Sequence, residues 1–263
     1  MRLKLPVYTT QIDDLGSRTP LLFIHGFPLS RALWEPQVIE LSDSARTLAF
    51  DLRGFGGADP VPGPWSLDDL ADDCRAFLDA VRVTQPVVVC GLSMGGYVAF
   101  AFYRRYRARV AGLILAATRA GADSPEGRAG RDKMAALARE QGAGAVADAM
   151  LPRMFAPRTY TAQPGLVERT RAMMAGSSVD GIVGALGAMR DRADSTPTLA
   201  EITVPALVVH GADDQLIPVS EAEKMQAGIA GARLALLPDA GHLLNLEQPA
   251  LFNSAVADFI MKL

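Results

Sequence analysis

A serine between two glycines is the strongest chemical signal in the chain. The pattern G-x-S-x-G is formed by Gly91-Leu92-Ser93-Met94-Gly95, directly after an apolar run that ends at Cys90 and directly before a segment of helical composition. A serine on a tight turn from a strand into a helix presents its hydroxyl clear of the backbone, and the flanking glycines are required because strand and helix crowd together there. The pattern predicts Ser93 as a nucleophile, with the positive end of the following helix favouring negative charge at the site.

A nucleophilic serine needs a base, because its hydroxyl is almost un-ionised at neutral pH. The chain contains three histidines, and with this serine pattern the expected order along the chain is serine, acid, histidine. His25 precedes the serine, and His210 has no well-placed acid between itself and the serine. His242 follows the last predicted strand and satisfies the order, so we expect it to be the base, with its imidazole within hydrogen-bonding distance of Ser93.

Two neighbouring aspartates compete for the role of the acid. Asp213 and Asp214 both lie on the loop that leaves the predicted strand at 206–210. The acid should hold the far nitrogen of the imidazole and stabilise the imidazolium as it forms. Position alone does not separate the two residues, and one of them is expected to serve a turn or a helix cap.

Two backbone amides are expected to complete the site by holding the oxyanion of a tetrahedral intermediate. One belongs to the residue after the nucleophile, Met94, and the other to an early loop between a strand and a helix. The loop His25-Gly26-Phe27-Pro28 has this position, because an apolar run ends there and a helical segment begins soon afterwards. The Phe27 amide is therefore the predicted second donor.

Strands that alternate with helices are expected to position these residues. Short runs of aliphatic and β-branched residues recur at 21–24, 46–51, 87–90, 113–116, 206–210 and 233–237. They are apolar throughout, as in parallel strands that helices cover on both faces. Helix-length segments lie between them, at 33–41, 67–81, 94–106, 221–228 and 249–261. The alternation predicts a doubly wound, mostly parallel α/β sheet, to which residues 3–13 could add one or two antiparallel edge strands.

A long interval without strands interrupts this alternation. From about residue 120 to residue 198 the sequence is rich in Ala, Met, Arg and Gly and has helical potential. The interval is too long for a plain connection. We predict a helical cap over residues 120–198, inserted into one α/β core formed by residues 1–119 and 199–263 and lying over the strand ends.

Composition excludes several classes of protein. The 263 residues are 49% hydrophobic and 21% charged, with a net charge of -3, which predicts one globular core and no nucleic-acid partner. Cys74 and Cys90 have neither disulfide-framework nor metal-ligand spacing, which favours a reducing compartment. No signal peptide is apparent, and glycines interrupt the apolar run at 86–102. We expect a cytoplasmic monomer or small homo-oligomer with no membrane segment, no metal and no other cofactor.

The chain resembles the α/β-hydrolase superfamily over essentially its whole length. The matching stretches are FIHGFP, FDLRGFGGAD, GLSMGGYVA, HGADDQLIP and AGHLLNLEQP. Within the superfamily the chain is similar to bacterial carboxylesterases, 3-oxoadipate enol-lactonases and acyl-homoserine-lactone hydrolases. The stretch TRAGADSPEGRAGR is similar to part of the lactonase-like members.

The resemblance implies an α/β-hydrolase fold with a helical cap and assigns roles to single residues. It makes Ser93 the nucleophile and His242 the base. Asp214 becomes the acid, because its place four residues before a proline matches the family's G-x-x-D-x-x-x-P pattern. The resemblance likewise implies Phe27 and Met94 as the oxyanion donors.

Hydrolysis of carboxylic esters through an acyl-enzyme is the expected function. Lactone hydrolysis and cofactor-free perhydrolysis use the same three residues and stay open as alternatives, as does a non-catalytic ligand-binding protein on this fold. The resembling dehalogenases and epoxide hydrolases carry aspartate where this chain has Ser93, so those functions are excluded. A dinucleotide-binding oxidoreductase is disfavoured because Ser93 occupies the place of the second glycine in G-x-G-x-x-G.

An apolar pocket under the cap is expected to receive a small-molecule ester or lactone. A pocket of modest size favours small or medium acyl groups. Apolar side chains such as Met, Phe and Trp at helical spacing more often pack a core than contact a ligand. The candidate lining residues are Phe27, Trp34, Met154, Phe155, Met173, Met174 and Met189.

Overall fold

An eight-stranded, mostly parallel sheet forms the centre of the computed structural model, which describes all residues 1–263. The order across the sheet is β1-β2-β4-β3-β5-β6-β7-β8. Strands β1 and β2 pair antiparallel with their neighbours, and all other pairs are parallel. This confirms the predicted sheet and its antiparallel edge. The strands are β1 (Arg2–Lys4), β2 (Thr9–Leu15), β3 (Pro20–Ile24), β4 (Arg46–Phe50), β5 (Val87–Leu92), β6 (Val110–Ala116), β7 (Ala206–Gly211) and β8 (Arg233–Leu237).

Helices connect the strands and cover both faces of the sheet. Residues on β5 alternate between two buried clusters: Val87 and Val89 belong to one, Val88 and Cys90 to the other. Because successive side chains of a strand point to opposite faces, each face has its own apolar layer. The helices outside the cap are α1 (Glu35–Glu40), α2 (Leu67–Ala80), α3 (Met94–Arg105), α9 (Val219–Gly228), α10 (Leu244–Glu247) and α11 (Pro249–Ile260).

The chain between β6 and β7 contains helices and no strand. We call residues 117–205 the cap; the predicted interval 120–198 lies inside it. The longest cap helix bends at Gly142, whose φ of 80° lies outside the helical region. The cap helices are α4 (Pro125–Met150), α5 (Thr159–Ala162), α6 (Pro164–Ala175), α7 (Val179–Arg190) and α8 (Thr196–Leu199).

Two further observations bear on the sequence expectations. Cys74 and Cys90 are both buried and unpaired. None of the helices combines the length with the low polarity of a membrane span; α6 and α7 reach these limits only when taken together, and the pair is bent by 92°. Much of α7 packs inside the protein, including Ile182, Leu186 and Met189.

Candidate functional site

The turn between β5 and α3 holds Ser93 in a strained backbone conformation. Its φ of 54° and ψ of -114° lie in a region that residues other than glycine rarely adopt. A side chain at Gly91 would overlap the carbonyl group of Gly95, and one at Gly95 would overlap the carbonyl group of Ile24. The glycines of the motif are therefore required by the close approach of strand and helix, as the sequence predicts.

Two backbone amides lie next to this serine. Met94 is the first residue of α3, so its N–H has no partner inside the helix. Phe27 follows β3, the neighbour of β5 in the sheet, and its N–H donates no hydrogen bond in the protein. A Cβ atom placed on Gly26 would lie 3.3 Å from the Cβ of Ser93, which shows how closely this loop packs on the serine.

His25 fixes the loop that carries Phe27. The Leu52 N–H donates to Nε2 of His25 at 3.0 Å, so Nδ1 carries the proton and donates to the Gly26 carbonyl at 2.9 Å. Burial lowers the pKa of His25 to about 4, which keeps the imidazole neutral at physiological pH. Both ring nitrogens make hydrogen bonds to backbone groups, so the role of His25 is to hold the backbone of this loop in place.

Asp214 and His242 meet at the carboxyl end of β7. Nδ1 of His242 lies 2.8 Å from Oδ2 of Asp214, whose side chain is completely buried. The other carboxylate oxygen accepts the amides of Leu216 and Ile217 at 2.8 and 3.0 Å. Burial by itself would raise the pKa of Asp214, but His242 and these two amides outweigh it and lower the pKa below its usual value. The neighbouring Asp213 is exposed.

The third histidine, His210, stabilises the loop that carries Asp214. Nε2 of His210 donates to the Ile217 carbonyl at 2.9 Å and lies 3.5 Å from Oδ2 of Asp214. Burial lowers the pKa of His210, so that the ring favours its neutral form. Its other nitrogen is buried without a partner. His210 thus lies beside the same carboxylate oxygen of Asp214 that contacts His242.

Ser93 and His242 line one cavity of about 110 Å³. With Nδ1 of His242 bound to Asp214, Nε2 is the nitrogen left for proton transfer. The structure contains no direct hydrogen bond between Ser93 and His242; in ligand-free sites such bonds are often long and tighten only when substrate binds. The other lining residues are Phe27, Tyr97, Arg119, Arg131, Met150, Met189, Leu216 and Ile217.

The cavity wall differs from the predicted pocket lining. Of the predicted lining residues, Phe27 and Met189 lie on this wall. Met173 instead lies on a separate groove beside α1. The remaining four side chains are completely buried in the apolar core, so their prediction as pocket residues is corrected: Trp34, Met154, Phe155 and Met174. Trp34, for example, stacks on Phe23 with ring centroids 4.8 Å apart.

A buried glutamate ties the loop of His242 to the cap. One oxygen of Glu247 accepts the Gly241 N–H at 2.7 Å. The other accepts the Ala156 N–H at 2.8 Å and the Thr159 hydroxyl at 2.6 Å. Burial raises the pKa of Glu247, which these three donors oppose. Sequence reasoning missed this residue, although it lies in the matched stretch AGHLLNLEQP.

Glu247→Gln is expected to damage both stability and activity. A glutamine offers one acceptor oxygen and turns an N–H₂ group toward a donor, which should cost about 1–3 kcal/mol of unfolding free energy. Because Gly241 precedes His242, we also expect kcat to fall by roughly 10-fold through misplacement of the imidazole. Urea unfolding and ester kinetics measure the two effects, with the exposed Glu140→Gln as the control. Loss of stability at full kcat would reduce Glu247 to a structural role.

No group of three or more His, Cys, Asp or Glu side chains in the chain is arranged to hold a metal ion. The chemistry that the cavity offers comes from a hydroxyl, an imidazole backed by a carboxylate, two free amides and two guanidinium groups. Together these groups fit attack on an acyl carbon.

Comparison with known proteins gives a hydrolase family model and relatives that are named as esterases and enol-lactonases. A family model described as the alpha/beta hydrolase fold matches residues 19–249. A 3-oxoadipate enol-lactonase of Acinetobacter baylyi is 31% identical over 247 residues, covering 94% of this chain and 90% of that protein. A thermophilic esterase from Thermogutta terrifontis, solved with malate bound, is 38% identical with a TM-score of 0.97, covering 100% of this chain and 98% of its own. The enol-lactonase from Burkholderia xenovorans LB400 is 29% identical with a TM-score of 0.92, covering 99% and 100%.

Proposed function

Because the chain belongs to the α/β-hydrolase family, we propose that it cleaves carboxylic esters of small or medium acyl groups through an acyl-enzyme on Ser93. The observation that carries the proposal is the 2.8 Å contact between Asp214 and His242 at the cavity that Ser93 also lines. An imidazole held this way by a buried carboxylate is oriented for general-base catalysis.

In the proposed reaction the Ser93 oxygen attacks the acyl carbon while Nε2 of His242 takes its proton. The tetrahedral oxyanion is held by the amides of Phe27 and Met94. The C–O bond to the alcohol then breaks, and His242 returns its proton to the departing oxygen. Water attacks the acyl-enzyme with the same base, which releases the acid and restores Ser93.

Asp214 has the electrostatic properties that this cycle requires. Its lowered pKa keeps it ionised at neutral pH, although its side chain is fully buried. A negative charge next to Nδ1 favours the imidazolium that forms when His242 accepts the serine proton. The Leu216 and Ile217 amides hold the carboxylate in place during this step.

The size of the cavity supports small substrates. The 110 Å³ cavity adjoins a second one of about 270 Å³, and both are lined by Phe27, Met150 and Leu216. We propose that a short acyl group occupies the inner space and that the remainder of the substrate extends into the outer one.

Lactone hydrolysis is the second candidate, favoured by the similarity to two enol-lactonases. The same attack by Ser93 would open the ring, and the alcohol would stay tethered to the acyl group until water releases the product.

The proposed function is tested with a fluorophosphonate probe and a panel of substrates. We expect the probe to label Ser93, and kcat/KM to be highest for p-nitrophenyl acetate or butyrate and to fall with longer acyl chains. Enol-lactones and acyl-homoserine lactones measured beside these esters decide between the two candidates. Absence of both labelling and turnover would instead support a non-catalytic binding protein.

A further inference from the structure

We propose that the substrate carries a carboxylate, which Arg119 and Arg131 bind at the wall of the catalytic cavity. This inference rests on the proposed function and narrows its substrate class. The ester-cleaving steps themselves use neither of these two arginine side chains.

Both arginines lie where substrate must pass. Arg119 comes three residues after β6 ends, at the same edge of the sheet as Ser93, and Arg131 lies on α4 of the cap. Each lines the cavity of Ser93 and His242 and also the adjoining 270 Å³ cavity. A group that spans the two spaces would therefore meet both guanidinium groups.

The positive charge here is not balanced by the protein. Asp123 is the only acidic residue on the walls of the two cavities, whereas Arg119, Arg131 and Arg153 all lie there. Asp123 is also shared with Arg192, whose Nη1 lies 2.9 Å from its Oδ1. The other nearby acid, Asp214, is committed to His242. The chain as a whole has a net charge of -3, so this local excess of positive charge attracts an anion to one particular place.

The arginines keep donors free for a ligand. Arg131 uses only Nε toward Asp123, at 3.0 Å, so its two Nη groups have no partner in the protein. Arg119 donates to the other oxygen of Asp123 from Nη2 and makes no further hydrogen bond in the protein. Planar guanidinium groups bind carboxylates through two parallel hydrogen bonds. The free donors thus fit a substrate carboxylate.

Asp123 orients the two arginines. Its side chain is 1% exposed, against 31% for Arg119 and 24% for Arg131. Arg192 also contacts the Asp123 carboxylate, and its guanidinium carbon lies 4.1 Å from the centroid of the Tyr97 ring. Holding the guanidinium groups in one geometry before binding reduces the entropy lost when substrate arrives.

The test compares half-esters with the matching neutral diesters. We expect the wild-type protein to have a higher kcat/KM for monoethyl than for diethyl esters of succinate, glutarate or adipate. In Arg131→Gln the ratio of the two values should fall by about 10- to 100-fold, the effect of losing a charged hydrogen bond. Arg131→Lys should retain part of the preference. Arg139→Gln, at an exposed position of the same helix and outside both cavities, should leave the ratio unchanged.

A second substrate pair locates the carboxylate. Monoethyl succinate has it on the acyl part, whereas acetoxyacetate has it on the alcohol part, and a preference for either over its neutral ester supports the proposal. Salt gives an independent measurement on the wild-type protein, since raising NaCl from about 0.05 M to about 0.5 M should reduce the preference for the anionic ester.

The outcomes distinguish failure of the carboxylate site from failure of the proposed function. Equal turnover of half-ester and diester, or a ratio that Arg131→Gln and salt leave unchanged, would overturn the carboxylate site and leave the esterase proposal intact. Failure to hydrolyse any ester or lactone would instead overturn the proposed function.

Discussion

Ser93→Ala is expected to lower kcat/KM for p-nitrophenyl butyrate by about 10⁴-fold or more. The substitution removes the only atom that can form the acyl-enzyme, while the free amides of Phe27 and Met94 and the imidazole of His242 remain. Alanine keeps the Cβ atom, so the backbone at φ 54° is no more strained than in the wild type. Initial rates at matched protein concentrations measure the loss.

The control for this prediction is a folding measurement together with a neutral serine variant. Circular dichroism and thermal unfolding of Ser93→Ala should match those of the wild type, and Ser220→Ala, exposed on α9, should retain full activity. Residual activity above a few per cent would mean that another group attacks the substrate.

Asp214→Asn should be far more damaging than Asp213→Asn. An amide at position 214 must turn its N–H₂ group either toward His242 or toward the donors of Leu216 and Ile217. Either arrangement loses the ionic contact with Nδ1, and we expect kcat to fall by about 10³- to 10⁴-fold. Asp213 is exposed, so its replacement should change kcat by less than about 3-fold.

Steady-state kinetics of the two variants, with the pH dependence of kcat/KM, provide the measurement. The pair is closely matched, because the same chemical change is made one residue apart. If Asp213→Asn proved the more damaging of the two, the acid would move by one position and the contact at 2.8 Å would have a structural role only.

The sheet and the motif residues were accessible from the sequence for a physical reason. Parallel strands covered on both faces require continuous apolar runs, and β5 and β7 have them. The bounds of the strands were less accessible. Strand β6 begins at Val110, three residues before the predicted start, and its second residue after that is Gly112, a residue type that is more common in turns than in strands. Pairing with the neighbouring strand β5 extends β6 through this glycine.

The pocket was less predictable, since apolar side chains in a core and in a cavity have the same chemistry. Trp34 and Phe155 are as large and apolar as Phe27, yet only Phe27 reaches the cavity. Arg119 and Arg131 were not predicted as site residues, because their spacing in the sequence does not reveal that a strand end and a distant turn of α4 meet at the cavity. Position alone did not separate Asp213 from Asp214, and the resemblance selected Asp214; in the structure the loop turns so that Asp214 contacts His242.

The hydrogen bonds of Glu247 limit how the specificity of the protein can be re-engineered. Its carboxylate joins Gly241, next to the base, to Ala156 and Thr159 of the cap. A cap grafted from a relative to change specificity would have to present a hydroxyl and an unpaired amide to this same carboxylate. Without them the graft would leave a buried carboxyl group with only one donor, and the loop that positions His242 would lose its hydrogen bonds to the cap.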